Sequence, residues 1–426
     1  MRRVAVDEGV CAIRPGIDLG RHARMLARVH DALLSGDRPP ADPRQLVARS
    51  WQRVRAQGVD PDLGDPPGPA GPDEVEQRRV RSPLHRVLPE LRAALTSVAE
   101  DARHVMVITD ADGMLLWREG SSRVRTRADR LGFTEGANWS EAVVGTNAIG
   151  TALAEDAPVQ IFSAEHFVRT HHLWTCTACP VHDPRTGELL GVVDVSGPAE
   201  TVHPTTVALV STAVRLAEAS LWRQHEGRLD ALRAVAAPML ATVSGPGLVV
   251  DDHGWVAAVT GMPAVDRVAA PRPERPVAVH GVGLCVPEPV PGGWLLRAAG
   301  DGTASRAPLR LSLDLDSRPP RAVVESASVW IHPLSTRHAE VLLLLAHAGR
   351  AGLDAAALSN ALYGEPGHLV TVRAEMSRLR RSLGGLLLAR PYRIAPEVEV
   401  RLPDLTRCAL VRASTAPGVQ RLAAGG

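Results

Sequence analysis

Two groups of residues have types and spacings that could do chemistry. The first is His166, His171, His172, Cys176, Cys179 and His182. Cys176-x-x-Cys179 has the spacing of zinc or redox pairs, but no second such pair accompanies it, which weakens a four-ligand zinc site. A thiol switch, a bound metal or haem, and two small residues on a strand in a pocket wall all remain open readings. Around the same segment, Trp139, Asn147, Glu165, Trp174 and Cys176 combine apolar bulk with a few polar groups. That is the make-up of a small-molecule pocket, and these five are its candidate residues. Ordinary core packing is the alternative for each, and Asn147 in particular could be satisfying backbone groups in a turn.

The second group is near the C-terminus. At 100° per residue, Val372, Met376, Leu379 and Leu383 form one stripe of a helix. Arg373, Ala374, Ser377, Arg378 and Arg381 occupy the other side, with Arg380 at its flank. Arginine reads guanine O6 and N7 in bidentate fashion, and small neighbours allow close approach to a groove. Between Pro333 and Arg412 there are eleven Arg against seven Asp plus Glu, a local balance of +4. A solvated arginine-rich helix face is the plainer alternative.

The elements that must position these groups follow from periodicity and punctuation. Two helices are expected between Gly20 and Gly58, carrying His22, Leu26, Val29 and Leu33, then Val47, Trp51 and Val54, with Asp42-Pro43 opening the second. Pro61–Pro72 reads as a Pro/Gly linker. Leu84, Leu88, Leu91 and Leu95 mark an entry helix. His104–Asp110 and Met114–Trp117 read as a hairpin about Ala111-Asp112-Gly113, and Gly191–Val195 as another strand. Thr205–Trp222 reads as an amphipathic closing helix. Short strands broken by Gly and Pro fill 245–329. Ser335, Asp354 and Thr371 are expected to cap three successive helices, followed by a hairpin of strands around Tyr392–Ile394 and Val398–Leu402.

Composition narrows the class. Net charge is only +1, so any basic surface is local. All 48 basic residues other than histidine are arginine; the sequence contains no lysine. Five scattered cysteines do not make a disulfide scaffold. The longest apolar run, Val341–Ala346, is far short of a membrane span. No apolar stretch follows Arg2 and Arg3, so no signal peptide is expected, and the expected location is the cytoplasm.

Two stretches resemble known families. ADRLGF (128–133), EGANWSEAVVGTNAIGTAL (135–153), PVQIFSAEHFVRTHHLWTCTACPVHDP (158–184) and GELLGVVDVSGP (187–198) are similar to the GAF-type sensor of the acetoin-catabolism activator family of bacterial enhancer-binding proteins. Ser50-Trp51-x-Arg53 resembles that family's N-terminal helix. The resemblance implies ligand sensing, with a small aldehyde, ketone or alcohol as the class of effector. The family's AAA+ ATPase does not carry over, because its phosphate-binding loop needs a lysine and no GAFTGA loop is present. LSTRHAEVLLLLA, GLDAAALSNALYG, TVRAEMSRLRRSLG and RPYRI resemble the OmpR-type effector domain. That resemblance places Thr371–Leu383 in the major groove, with Arg373, Ala374, Ser377, Arg378 and Arg380 at the groove-facing positions and Arg390 and Arg393 in or beside the wing; with Thr371 and Arg381 of the same helix they are the candidate DNA-binding residues.

The expected fold class is thus multidomain α+β. Residues 1–60 form a helical segment, 61–83 a linker, 84–222 a GAF-like sensor with an antiparallel sheet and flanking helices, 223–330 a small β-rich connector, 331–412 a winged helix-turn-helix, and 413–426 a tail. The expected function is a ligand-responsive, DNA-binding transcriptional regulator without catalytic residues, cofactor or metal. Its expected partners are double-stranded DNA, a small-molecule effector, a second copy of itself and RNA polymerase, with no membrane. A protein-binding signalling adaptor and a GAF-type thiol enzyme are the competing readings.

Overall fold

The computed structural model describes residues 10–424 apart from 63–67, 102, 244, 274, 280–281, 299–309, 326–328, 366, 384–385, 390, 397 and 406–407. The chain divides into two compact units, Met1–Pro184 with Glu188–Trp222, and Arg185–Gly187 with Arg223–Gly426.

The first unit opens with α1 (Leu19–Ser35), α2 (Gln45–Ala56), α3 (Pro72–Arg81) and α4 (Leu88–Asp101). Asp18 caps α1 by accepting from Arg21 N. Asp42 does not cap α2, contrary to expectation: the helix starts at Gln45 behind Arg44. There follow β1 (Val105–Asp110), β2 (Leu115–Gly120), α5 (Ser122–Asp129), α6 (Glu141–Val144), α7 (Ala148–Glu155), β3 (Val159–Phe162), β4 (Trp174–His182) and β5 (Leu189–Pro198). The five strands form one antiparallel sheet in the order β2-β1-β5-β4-β3. Alternation along each strand sends side chains to opposite faces. Met106, Ile108, Leu116, Val193 and Val195 pack under Leu84, Leu88, Leu91 and Leu95 and under Val210, Val214 and Leu221 of α8 (Thr205–Leu240). Val105, Val107, Leu115, Ile161 and Val192 face α2 and the α5–α7 segment. Leu88, Leu91 and Leu95 of α4 and Val210, Val214 and Leu221 of α8 are therefore buried within the chain. Leu84 reaches that core from a 3-10 turn ahead of α4, not from the helix itself.

The second unit holds β6 (Gly247–Val250), β7 (Val256–Thr260), β8 (Val277–Val279), β9 (Gly283–Val290) and β10 (Gly293–Ala298), ordered β7-β6-β10-β9-β8. This is the strand order of the first sheet over again. The opening hairpins also match bond for bond. Asp110 Oδ1 accepts from Asp112 N and Met114 N at 3.0 and 2.9 Å. Asp251 Oδ1 accepts from His253 N and Trp255 N at 2.9 and 2.8 Å. Gly113 and Gly254 take φ of 87° and 80° at the same place, where a side chain would be strained. The region read as a β-rich connector is thus a reduced relative of the sensor sheet. Only residues 261–276 join its second and third strands, where the first unit inserts three helices.

Next come β11 (Arg310–Asp314), β12 (Arg321–Glu325), β13 (Val329–Pro333), α9 (Thr336–Ala348), α10 (Ala355–Tyr363) and α11 (Leu369–Leu383). The chain closes with β14 (Leu387–Leu388), β15 (Arg393–Ile394), β16 (Glu399–Arg401), α12 (Ala409–Ala413) and α13 (Pro417–Ala424). Ser335 and Asp354 cap α9 and α10 by accepting from His338 N and Ala357 N. Thr371 is not a cap, because α11 starts two residues earlier. Leu311, Leu313 and Val324 share one core with Leu342, Leu345, Leu358, Val372, Met376 and Leu379, so strands 310–333 pack with the three helices. The expected terminal hairpin does not form. β15 pairs with β14, and β16 instead lies parallel to β11 at the edge of the sheet β13-β12-β11-β16.

Candidate functional site

The face of the first sheet turned toward α5–α7 does not close completely. A cavity of about 20 Å³ remains, enough for little more than one water. Its apolar wall is Leu131, Phe133, Ile149 and the ring of Trp174. Its polar groups come from three places. Trp139 and Asn147 flank α6, His166 follows the first of two 3-10 turns between β3 and β4 and His171 lies in the second, and Cys176, Asp194 and Ser196 lie on β4 and β5. Strand parity explains the last three. Cys176 is the register partner of Ser196 and Ala178 that of Asp194, so residues 176, 194 and 196 project to one face.

Several of these groups lack partners. Trp139 Nε1, both ring nitrogens of His171 and Asp194 Oδ1 are buried with no hydrogen-bond partner. Buried polar atoms are nearly always paired, so four orphans around one cavity need an occupant. Asp194 is fully buried. Ser196 Oγ donates to its Oδ2 at 2.5 Å. Burial pushes the Asp194 carboxyl up to about 7, against a smaller opposing effect of that bond. Burial likewise lowers His166 to about 3 and His171 to about 4. It drives the Cys176 thiol well above its ordinary range, with the Asp194 charge adding to the effect.

Trp139, Asn147, Trp174 and Cys176 line the cavity. Asn147 also has a structural task. It caps α7 by accepting from Gly150 N at 2.9 Å and donates to the carbonyls of Trp139 and Gly145. Glu165 is a correction: it is not among the cavity residues. It accepts from Arg44 at 2.6 and 2.8 Å and from Phe162 N at 2.9 Å, closing the turn after β3. Asp194, Ser196, Leu131, Phe133 and Ile149 also line the cavity and were not among the residues expected there. The signal was present in GVVDVSGP, where a carboxylate and a hydroxyl two residues apart interrupt a buried strand.

The Cys176/Cys179 pair does not act as a unit. The residues are three apart on an extended strand and so face opposite ways. Cys176 packs on the cavity side and Cys179 in the core beneath α4 and α8. Both thiols are free, and burial raises Cys179 to about 12. Among the described residues no three His, Cys, Asp or Glu side chains converge as a metal site would require.

The Ser50-Trp51-x-Arg53 element fixes α2 against this face. Ser50 Oγ donates to Glu141 at 2.6 Å, Arg53 grips both Glu141 oxygens at 2.7 and 2.9 Å, and Trp51 Nε1 donates to the Glu165 carbonyl at 3.0 Å. Glu141 begins α6, so α2 braces the segment that supplies Asn147, Ala148 and Ile149 to the cavity.

In the second unit, α10 and α11 are joined by a short turn, and α11 buries Val372, Met376, Leu379 and Leu383 as the stripe requires. Thr371, Arg373 and Arg378 are exposed, and Arg378 donates to Glu375 at 2.7 Å. Ala374, Ser377, Arg380 and Arg381 are half-buried. Arg380 Nε donates to the Leu387 carbonyl at 3.2 Å and Arg393 Nη1 to the Arg350 carbonyl at 3.2 Å. Arg390 lies outside the described residues. No helix among the described residues is long and apolar enough to cross a membrane.

The sequence is similar to several known proteins. The family described as MimR, N-terminal domain, matches residues 26–218. Over 417 residues, 96% of this chain and 78% of the other, the sequence is 34% identical to an uncharacterized 47.3 kDa protein in the thcA 5′ region of Rhodococcus erythropolis. It is 37% identical over 180 residues to the acetoin dehydrogenase operon transcriptional activator AcoR of Bacillus subtilis, covering 42% of this chain and 29% of that one. It is 35% identical over 169 residues to the propane 2-monooxygenase operon transcriptional activator MimR of Mycolicibacterium goodii, covering 39% and 28%. The match thus spans less than a third of either activator's length. A crystal structure of the Escherichia coli DhaR(N)–DhaL complex aligns with 99% of its chain and 60% of this one, at 18% identity and a TM-score of 0.39, too low to argue from. The chain belongs to the same family as the Rhodococcus protein, and its first half carries the domain found in transcriptional activators of the MimR and AcoR kind.

Proposed function

We propose that this protein is a ligand-responsive transcriptional regulator that senses a small molecule in the first-unit cavity and binds double-stranded DNA through a winged helix-turn-helix built on α9–α11. The observation that carries the sensing half is the set of orphaned polar atoms on Trp139, His171 and Asp194 around an otherwise apolar cavity. The relatedness of this unit to regions of transcriptional activators supports a regulatory role. The cavity is too small for more than a water as it stands, so an effector enters only as the α5–α7 segment or the turns after β3 move outward. An effector shifts that equilibrium by binding the opened state more tightly than the closed one.

Support for the DNA-binding half is the short α10–α11 connection and the exposed Arg373 and Arg378 on α11. The test is anisotropy with purified protein and duplexes from upstream of its own gene, at several salt concentrations, with and without Arg373→Ala/Arg378→Ala. Each lost phosphate contact lowers the slope of log affinity against log salt by about 0.9, so loss of both lowers it by about 2. Sequence-selective binding with that change supports the reading. A folded protein whose only associations are salt-insensitive and with protein would replace it with the adaptor reading.

A further inference from the structure

We propose that β13 is the surface through which two copies of this chain associate, pairing antiparallel about a two-fold axis at Ile331. β13 is an outer strand of the sheet β13-β12-β11-β16, and among the described residues no strand pairs with its far side. Exposure alternates along it: Val329 and Ile331 are 60% and 51% exposed, while Trp330 and His332 are half-buried. Hydrogen bonding alternates as well. Leu334 N donates to the Pro320 carbonyl at 2.7 Å, in line with the Pro333–Arg321 register. Bonded and non-bonded pairs take turns along an antiparallel ladder, so His332–Ala322 and Trp330–Val324 are the bonded pairs. The N–H and C=O groups of Ile331 and Val329 therefore turn toward the open edge, beside Pro333, which has no N–H to leave unmet.

An exposed apolar edge is a template for another strand, and the pattern here suits its own copy. With the axis at Ile331, the two Ile331 residues exchange both of their bonds, and each Val329 N–H meets the Pro333 carbonyl of the other copy. The missing proline donor leaves only the Val329 carbonyl unmet. Val329, Ile331 and Pro333 of both copies then form one apolar strip on the outer face. The flanking charges agree: Glu325 lies beside Val329 and Arg321 beside Pro333, so each row across the axis carries opposite signs. The other outer strand resists the same use. β16 presents exposed Glu399 and Arg401, paired with each other at 3.3 Å, and Glu399 also holds Arg310 at 3.1 Å. Head-to-tail pairing of β13 on β16 would bury those charges, and a closed two-fold pair avoids it. A five-residue strand from each copy falls short of a standard interface of about 1,200–2,000 Å². Association is therefore expected at about micromolar concentrations. With α11 as the DNA-reading helix, the axis sets the two reading helices in opposite directions, and the operator is an inverted repeat; this last step rests on the DNA-binding reading.

The test is sedimentation equilibrium of the full chain without DNA, from about 1 to 200 μM. Wild type is expected to pass from monomer to dimer across that range, and Ile331→Lys to weaken the dimer at least about tenfold. Ile331 is 51% exposed, so thermal unfolding of that variant should match wild type. Oxidative crosslinking checks the axis. In a bonded antiparallel pair the two Cα atoms lie about 5.5 Å apart, within disulfide reach, so Ile331→Cys should give a covalent dimer above the background of the five native cysteines. Val329→Cys sets the two new thiols on residues about 13 Å apart and should not. A wild type that stays monomeric, oligomers larger than a dimer, or a dimer that Ile331→Lys leaves intact would overturn the proposal. So would failure of Ile331→Cys to crosslink, or equal crosslinking by Val329→Cys. Dimerisation as described in a protein that binds no DNA would support the interface and strike only the DNA-binding reading with its inverted repeat.

Discussion

Arg53→Ala tests whether α2 braces the cavity wall. In the native protein Arg53 Nε and Nη2 donate to both oxygens of Glu141 at 2.7 and 2.9 Å, and Nη1 donates to Glu155 at 2.7 Å. Glu141 is only 5% exposed. Removing one partner of a buried ion pair costs about 3–5 kcal/mol, because the other charge stays buried. Two features reduce that cost here. The Arg53 side chain is 34% exposed, so water can replace part of it. Glu141 also keeps the Ser50 and Thr151 hydroxyls at 2.6 and 2.8 Å. The expected loss is therefore about 2–3 kcal/mol. For a unit of this size each kcal/mol moves Tm by about 2–4 °C, giving a fall of about 4–12 °C in the first-unit transition by scanning calorimetry. Adding Glu141→Gln removes the stranded charge and should restore at least half of the loss, a coupling that a double-mutant cycle isolates. A Tm for Arg53→Ala within about 1 °C of wild type, on the same scale, would refute the reasoning.

Three further outcomes follow from the same structure. His182 is raised to about 9 by Asp156, 2.7 Å away, and by Glu218. A raised histidine stabilises fully below its unfolded value of 6.5 and loses that contribution as pH rises through about 9, so the wild type should lose thermal stability across that window and His182→Gln should lose less. His171 shifts the other way, down to about 4, so the unfolded chain takes up a proton below 6.5 that the native chain refuses. Stability should fall with acid between those values, and His171→Phe should soften the fall; an unchanged acid limb in that variant would show that His171 is not buried neutral. Gly191 has φ of 155°, and a Cβ there would collide with the Thr109 carbonyl oxygen across the β1–β5 pairing. Gly191→Ala should yield insoluble protein or one without near-UV circular dichroism, and a wild-type unfolding profile would contradict the described register.

Much of the local structure was legible because it depends on neighbours in the chain. The hairpin at Ala111-Asp112-Gly113 follows from a turn that needs Gly113 at positive φ. The Ser335 and Asp354 caps follow from side chains placed three residues ahead of the N–H they satisfy. The buried stripe of α11 follows from the 3.6-residue period. The residues around the cavity were legible in part. Trp139, Asn147, Trp174 and Cys176 stand out by type, and Glu165 stood out equally well although it is paired with Arg44.

What the chain alone left undecided depends on contacts between distant segments. Cys176 and Cys179 look like a pair in one dimension, and only the pleat of β4 sends them to opposite faces of the sheet. Asp194 acquires its character from burial beneath α5–α7, far away in the sequence, and no local pattern predicts an unpaired carboxyl oxygen. The strands around Arg393 and Val400 were expected to pair with each other, but β15 took β14 and β16 took the free edge beside β11. Strand propensity says that a segment will be extended; which edge it joins is decided by the hydrogen-bonding groups left open in the assembled fold.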